Sequence, residues 1–433
     1  MQKILLIGGD RTCIDKLKKF DFVRFSDFQY LNLHLENNLS ENCVDELMAL
    51  INSSKVAIRA KLKFVYKLSK HFFQSNSFSI QLRTIIFGNY RIRSIETLIY
   101  FLRHIVKNKS LTCIFFSFLG FLKISESLID RLLAFNLPEI RILNCIIERN
   151  RPHAFVLLTS GYDHISFLLN YIEKQNAMKI IYLINNWDNP SSKGFINNRA
   201  DHVALWNSQQ ADHIYSISGF DKKLMTVVGS HTADSAYLKY GDLHVSSKVK
   251  SNNSRQLLYI GQQSKYDEIT DIINISNLLK NESCKYTKLV YRPHPFSAHK
   301  LKQTTSKLIN QDGFEVNLNS DLDLTEYAGI IALPTTFILE VILSKVPAIL
   351  YLPKNNIFRK NPHSMWQYKH FDTLRNNNPM IMAENFNTLK NFIINGLPPQ
   401  NNINATDFFD LFPKLNLDYP SRINILLKTI MQT

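Results

Sequence analysis

No two cysteines in this chain have the spacing of a zinc site or a redox pair. The five, Cys13, Cys43, Cys113, Cys145 and Cys284, are odd in number and scattered. A disulfide framework is therefore not what organises the fold, and a reducing cytosol is the expected compartment. No GxGxxG follows the first strand, which argues against a dinucleotide site. No DxD stands out, so metal-independent chemistry is expected. No RNP, helix-turn-helix or zinc-finger pattern is present, and nucleic acid is not an expected partner. The most apolar stretch, Leu111–Leu122, falls short of the about 20 residues that a spanning helix needs. It reads as a buried or interfacial element. The opening MQKILLIGGD has one Lys and five apolar residues before Gly8; it is too short for a signal peptide and reads as a first strand ending at Gly8-Gly9-Asp10.

Acid is scarce in one region. Between Lys55 and Lys109 stand twelve Lys/Arg and a single acid, Glu96, so +11 of the net +15 lies there. Lys55–Phe73 has helical periodicity, with Lys55, Arg59, Lys63 and Lys67 on one face and Ile58, Leu62, Val65 and Phe72 on another. Two uses compete: contact with an anionic membrane surface, or an ordinary surface helix with its apolar side on the core. Arg83, Arg91, Arg93 and Arg103 extend the basic stretch. Residues 20–54 have no assignable periodicity.

From residue 139 strands and helices alternate. A helix over 140–149, strands 154–158, 179–184, 203–206 and 225–228, and a helix over 208–218 predict a doubly wound α/β domain. Two of its strand-end loops are polar, Ser160–His164 and Trp187–Lys193. The polar run 246–256 reads as a linker. A second series begins with strand 257–260, ending at Gly261-Gln262, where the glycine permits close approach of a phosphate. A helix over 271–279 follows.

The densest chemistry lies between Lys288 and Pro353. An apolar strand ends in Arg292-Pro293-His294-Pro295; another, Gly329–Leu333, ends in Pro334-Thr335-Thr336 and opens a helix over 337–345. A strand over 347–352 completes a β–α–β unit, which implies a parallel sheet with ligands beyond its carboxyl edge. A helix start with two hydroxyls favours an anion, the prolines aim His294, and Arg292 offers a planar charged fork. Glu340, about one turn into the helix, is placed to accept ribose hydroxyls. After Pro353 come a basic loop with Trp366, an irregular stretch and a last helix near 421–431.

The RPHP turn followed by PTT-FILE resembles the nucleotide-binding half of GT-B glycosyltransferases, especially bacterial sialyl- and Kdo-transferases and the glycerophosphotransferases of teichoic acid synthesis. Trp187-Asp188-Asn189-Pro190-Ser191-Ser192-Lys193-Gly194 is similar to a signature of surface-polysaccharide proteins of that fold. The likeness covers residues 140–355. It implies an α/β GT-B fold, two Rossmann-like doubly wound domains facing a cleft. Residues 1–245, with a basic helical insertion at 55–125, form the acceptor side; 246–256 link it to a nucleotide-sugar-binding domain at 257–415; a helix over 416–433 crosses back.

The implied donor site comprises Gly261, Gln262, Arg292, His294, Pro295, Thr335, Thr336, Glu340 and Lys193. Asp163, Asp188 or Asp10 supplies the base, Asp163 first and Asp188 next, with His294 acting on the departing phosphate. Retaining relatives often carry a second glutamate eight positions before the one matched by Glu340. Here that position is Ala332, which favours inversion. No cofactor is implied beyond the nucleotide-sugar substrate. The expected donor is CMP-linked, of Kdo or sialic type, and the acceptor is a lipid-linked or polysaccharide surface glycan at the inner face of the bacterial membrane. The alternatives are a CDP-linked polyol-phosphate transferase, a UDP-sugar 2-epimerase and a non-catalytic partner in polysaccharide synthesis.

Overall fold

The computed structural model describes residues 2–8, 28–32, 59, 62, 115, 119, 125–134, 137–159, 167–169, 171–172, 178–184, 186–188, 200–218, 220–241, 255–262, 266–280, 284–294, 313–319, 322–353, 362–402 and 405–432. They fall into two units, Met1–Ser230 with Leu415–Thr433, and His231–Lys414.

The first unit is built on a six-stranded, all-parallel sheet. Its elements are β1 (Gln2–Gly8), β2 (Phe28–Asn32), α1 (Glu126–Ala134), α2 (Pro138–Asn150), β3 (Ala154–Thr159), β4 (Lys179–Ile184), β5 (His202–Leu205), α3 (Ser208–Ser218) and β6 (Met225–Val227). The strand order is β2-β1-β3-β4-β5-β6, so the order reverses between β1 and β3. A parallel sheet covered on both faces needs apolar residues at successive positions, and the β3 run AFVLLT meets that need. Phe155 and Leu157 join one core layer with Ile180, Tyr182, Val203 and Leu205. Ala154, Val156 and Leu158 join the opposite layer with Ile181, Leu183 and Ala204.

The second unit repeats the plan. It contains α4 (His231–Tyr240), β7 (Gln256–Ile260), α5 (Glu268–Leu279), β8 (Lys288–Arg292), β9 (Phe314–Val316), β10 (Gly329–Ala332), α6 (Ile338–Ser344), β11 (Ala348–Tyr351), α7 (Pro362–Trp366), α8 (Asp372–Asn377), β12 (Ile381–Ala383), α9 (Phe386–Asn395) and α10 (Ala405–Leu411). Its sheet is also all parallel, in the order β12-β11-β10-β7-β8-β9. The chain winds outward from β7 to β9, then returns to the other side of β7 and winds outward again, which places the reversal between β7 and β10. The pair of Rossmann-like units implied by the GT-B resemblance is present.

Two departures from the sequence reading have physical causes. The first unit ends at Ser230, where the sequence suggested 245. The Tyr240 hydroxyl donates to Leu322 O at 3.2 Å and accepts from Leu324 N at 3.1 Å, which ties α4 to the second unit. The stretch read as a basic loop and an irregular segment holds, among its described residues, β12 and the helices α7–α10. Its strand is three residues long and pairs with β11 at Ile381–Ala383, too short to show a periodicity. The strand β2 lies in the unassigned 20–54 region.

The last helix, α11 (Tyr419–Gln432), belongs to the first unit. Tyr419, Ile423, Leu426, Leu427 and Ile430 form one helical stripe packed against Ile4, Leu6, Val156 and Leu183. Arg422 Nε secures its start by donating to Val228 O at 2.6 Å.

Of the basic helix expected over 55–73, the described residues are Arg59 and Leu62, both helical. Leu62 is buried in the first core layer, and Arg59 Nη1 donates to Leu133 O at 2.6 Å. Phe115 and Leu119, from the apolar stretch, are helical as well; Phe115 is exposed and Leu119 packs against that core. Among the described residues no helix is long and apolar enough to cross a membrane.

Candidate functional site

The carboxyl ends of β7, β8 and β10 lie side by side at the strand-order reversal of the second sheet, where open parallel sheets bind ligands. Gly261 N donates to Arg292 O at 2.9 Å, and Leu333 N to Ile260 O at 3.3 Å. These bonds bring Gly261-Gln262, Arg292-Pro293-His294 and Pro334-Thr335-Thr336 to one edge.

Arg292 closes β8 and is half-buried. Its Cζ lies 4.1 Å from the centre of the Phe337 ring, a cation–π stack that fixes the plane of the guanidinium. Burial lowers its pKa, while Glu340 and then Tyr327 oppose the shift. It remains a cation, since arginine does not deprotonate in proteins. Pro293 is buried, and His294, Thr335, Thr336 and Glu340 are half-buried. Two side chains here have buried polar atoms with no hydrogen-bond partner: Thr335 Oγ1, and both Nε2 and Oε1 of Gln262. Gln262 is 2 % exposed.

The threonine pair, expected to open the helix, lies in the turn before it. Helix α6 starts at Ile338, its N-cap is Phe337, and no side chain caps it. The N–H groups of Ile338, Leu339 and Glu340 donate to the carbonyls of Thr335, Thr336 and Phe337. Those three amides are spent within the turn. The role expected of Gly261 also changes. A Cβ there would fall inside the envelope of Glu268 Oε2 and 3.1 Å from Tyr291 OH. The glycine admits a buried carboxylate, and no room is left on that side for a phosphate.

Glu268, in the first turn of α5, accepts from Gln262 N at 2.8 Å and from the Tyr291 hydroxyl at 2.7 Å. Burial pushes its pKa up to about 7, with the Gln262 amide and Tyr291 pulling the other way. One turn on, Asp271 accepts from the hydroxyls of Tyr266 and Tyr351, and burial raises it to about 6. Tyr259 packs edge-to-face on Tyr291, with centroids 5.9 Å apart. Its own pKa is pushed well up by burial and by the acids around it. Glu268 and Asp271 escaped the sequence reading because the helix was started at residue 271. Asp267 marked the true start: it is the N-cap, accepting from Ile269 N.

In the first unit, β4 ends at Ile184 and is followed by the tryptophan–aspartate turn. Trp187 is fully buried and donates through Nε1 to Gln209 Oε1 at 3.3 Å. Gln210 Nε2 donates to Asn186 O and Trp187 O, each at 2.9 Å, and its Oε1 accepts from Trp206 N at 2.7 Å. Asp188, half-buried, follows directly on this anchored backbone. Gln210 was missed because a glutamine in the first turn of a helix carries no motif. Asp163, Asp10, Lys193 and Pro295 lie outside the described residues.

No model of a known protein family matches the chain, and no curated protein matches it. Solved structures resemble its fold. A UDP-GlcNAc 2-epimerase of Methanocaldococcus jannaschii, in complex with UDP-GlcNAc and UDP, is 12 % identical with a TM-score of 0.43, over 67 % of this chain and 80 % of that one. The S. aureus MnaA–UDP co-structure is 13 % identical with a TM-score of 0.44, over 100 % and 97 %. The wall teichoic acid polymerase TagF is 11 % identical with a TM-score of 0.38, over 66 % and 75 %. Likeness this low leaves the chemistry of this chain to its own residues.

Proposed function

We propose that the chain is a transferase that holds a nucleotide-linked donor at the carboxyl edge of the second sheet. The observation that supports this most is Arg292, a stacked cation one strand from the strand-order reversal, on the same sheet edge as polar atoms of Gln262 and Thr335 that have no protein partner. A phosphate fits that set, since its oxygens accept the guanidinium fork and the Thr335 hydroxyl. His294, Pro295 and Thr336 belong to the same turns. Glu340, electrostatically coupled to Arg292, orients the guanidinium and offers a carboxylate to the ribose hydroxyls. The assignment of Lys193 to the donor rests on the sequence resemblance alone.

The reaction is inverting transfer. A base removes the proton of an acceptor hydroxyl, the oxygen bonds to the anomeric carbon, and the bond to the phosphate breaks with its electron pair on the phosphate. Arg292 and His294 stabilise that charge. Asp188 is the preferred base over Asp163, because its turn is anchored by Trp187 and Gln210. The acceptor class, a surface glycan at the membrane, and the CMP-linked donor of Kdo or sialic type rest on the sequence resemblance.

The test is a thermal-shift screen against CMP, CDP, UDP and GDP. A ligand at a hundred times its Kd stabilises the native state by about 2.7 kcal/mol. One nucleotide should raise the melting temperature of the wild type and leave Arg292→Ala and His294→Ala unmoved. A CMP shift supports the sialic-type donor. A CDP shift with phosphate in the product indicates polyol-phosphate transfer, and a UDP shift with turnover but no acceptor indicates epimerisation. No shift with any of the four refutes the nucleotide site.

A further inference from the structure

One buried carboxylate lies across two of the strand ends that form the proposed nucleotide site. Glu268 is 7 % exposed. Its Oε1 takes the backbone N–H of Gln262, two residues past β7, and its Oε2 takes the hydroxyl of Tyr291, which immediately precedes Arg292 on β8. Gly261 is the vacancy that admits it. Among the described residues the groups acting on Glu268 are the Gln262 amide, Tyr291, Asp271 and Asp267, and none of these is a cation. Around it stand Tyr259, itself under the influence of Tyr266 and Tyr351. An uncompensated acid at such a place is costly to the fold. A glutamine would fill the same volume and keep the bond from Gln262 without ionising. A carboxylate accepts at both oxygens at once, and so can bind both strand ends.

We infer that Glu268 is a positioning residue of the nucleotide site, fixing the backbone at Gln262 and the end of β8 that carries Arg292 without touching the nucleotide. The inference rests on the nucleotide reading above. It makes affinity depend on a residue on the far side of Gly261 from the ligand, and it explains why the β7 end needs a glycine when no phosphate approaches it there.

The experiment uses the full chain and the nucleotide of the four that shifts the wild type most. Glu268→Ala should weaken its binding by about tenfold or more, the scale of a lost hydrogen bond to a charged group, while circular dichroism is retained. Glu268→Gln, which keeps the acceptor for Gln262, should lie between Glu268→Ala and wild type. Hydrogen exchange supplies a readout without ligand: the Gln262 amide should exchange about tenfold faster in Glu268→Ala and stay protected in Glu268→Gln. Gly261→Ala should weaken binding as Glu268→Ala does, by displacing the carboxylate, and the double variant should be no worse than the worse single one. Wild-type protein that binds while Glu268→Ala binds equally well overturns the inference alone, as do additive losses in the double variant. Wild-type protein that binds none of the four overturns the nucleotide reading and this inference with it.

Discussion

The two raised carboxyls of the second unit give its stability an unusual slope with pH. Glu268 titrates near 4.5 when unfolded and at about 7 in the native state. Between those values the native chain holds a proton that the unfolded chain has lost, so stability falls as pH rises. It is highest below pH 4.5 and the full penalty is present above about 7. The shift corresponds to about 3 kcal/mol at 1.36 kcal/mol per unit. Asp271 adds a penalty of the same sign between 3.8 and about 6. The perturbation is Glu268→Gln, which cannot ionise. Relative to wild type it should gain about 3 kcal/mol in unfolding free energy between pH 5 and pH 8. Urea denaturation followed by the fluorescence of Trp366 measures this, because Trp366 is the one tryptophan of the second unit and is buried there. Protonation remote from Glu268 affects both proteins alike and cancels in the comparison, while Asp271, which acts on Glu268, contributes to the difference. A free-energy difference between variant and wild type that stays flat from pH 5 to pH 8 would refute the argument, because it would mean Glu268 ionises in the fold as it does in water.

The remaining expectations concern other parts of the chain. In the first unit the slope reverses: burial lowers the His202 pKa, so stability there should fall as pH drops through and below 6.5, seen in the Trp187 and Trp206 transition and removed by His202→Gln. Gln210→Ala removes the acceptor of the Trp206 N–H and one donor to each of the carbonyls of Asn186 and Trp187; it should cost about 2 kcal/mol and, with Asp188 as the base, lower turnover more than nucleotide affinity. Arg292→Lys keeps the charge but loses the planar stack on Phe337, so isothermal titration should show nucleotide binding weakened nearly as much as in Arg292→Ala. Leu427→Ala empties a site that is 1 % exposed between α11 and the first sheet and should cost about 2–5 kcal/mol in the same denaturation assay.

What could be read from the sequence, and what could not, follows from how far each signal reaches along the chain. The strands at 154–159, 179–184 and 288–292 are continuous apolar runs, and a parallel sheet covered on both faces demands that pattern. The ends of the strands at 288–292 and 329–332 carry polar turns, so Arg292, His294 and Thr335 stand out as candidates by position. The strand Ile381–Ala383 has no room to show a period, and its existence depends on the partner strand. The meaning of Gly261 was misread for a different reason. A glycine at a strand end says that something comes close, and the sequence does not say from which side. Only the fold shows that Glu268 arrives from the next helix, seven residues along and bonded across to β8. The same holds for Gln210, which is a common residue in a common position until its three hydrogen bonds are seen to hold the turn before Asp188. Residues that bind a ligand are exposed at edges and leave motifs. Residues that aim those edges are buried, of ordinary type, and identified by their partners, which is why the test of this site turns on Glu268 as much as on Arg292.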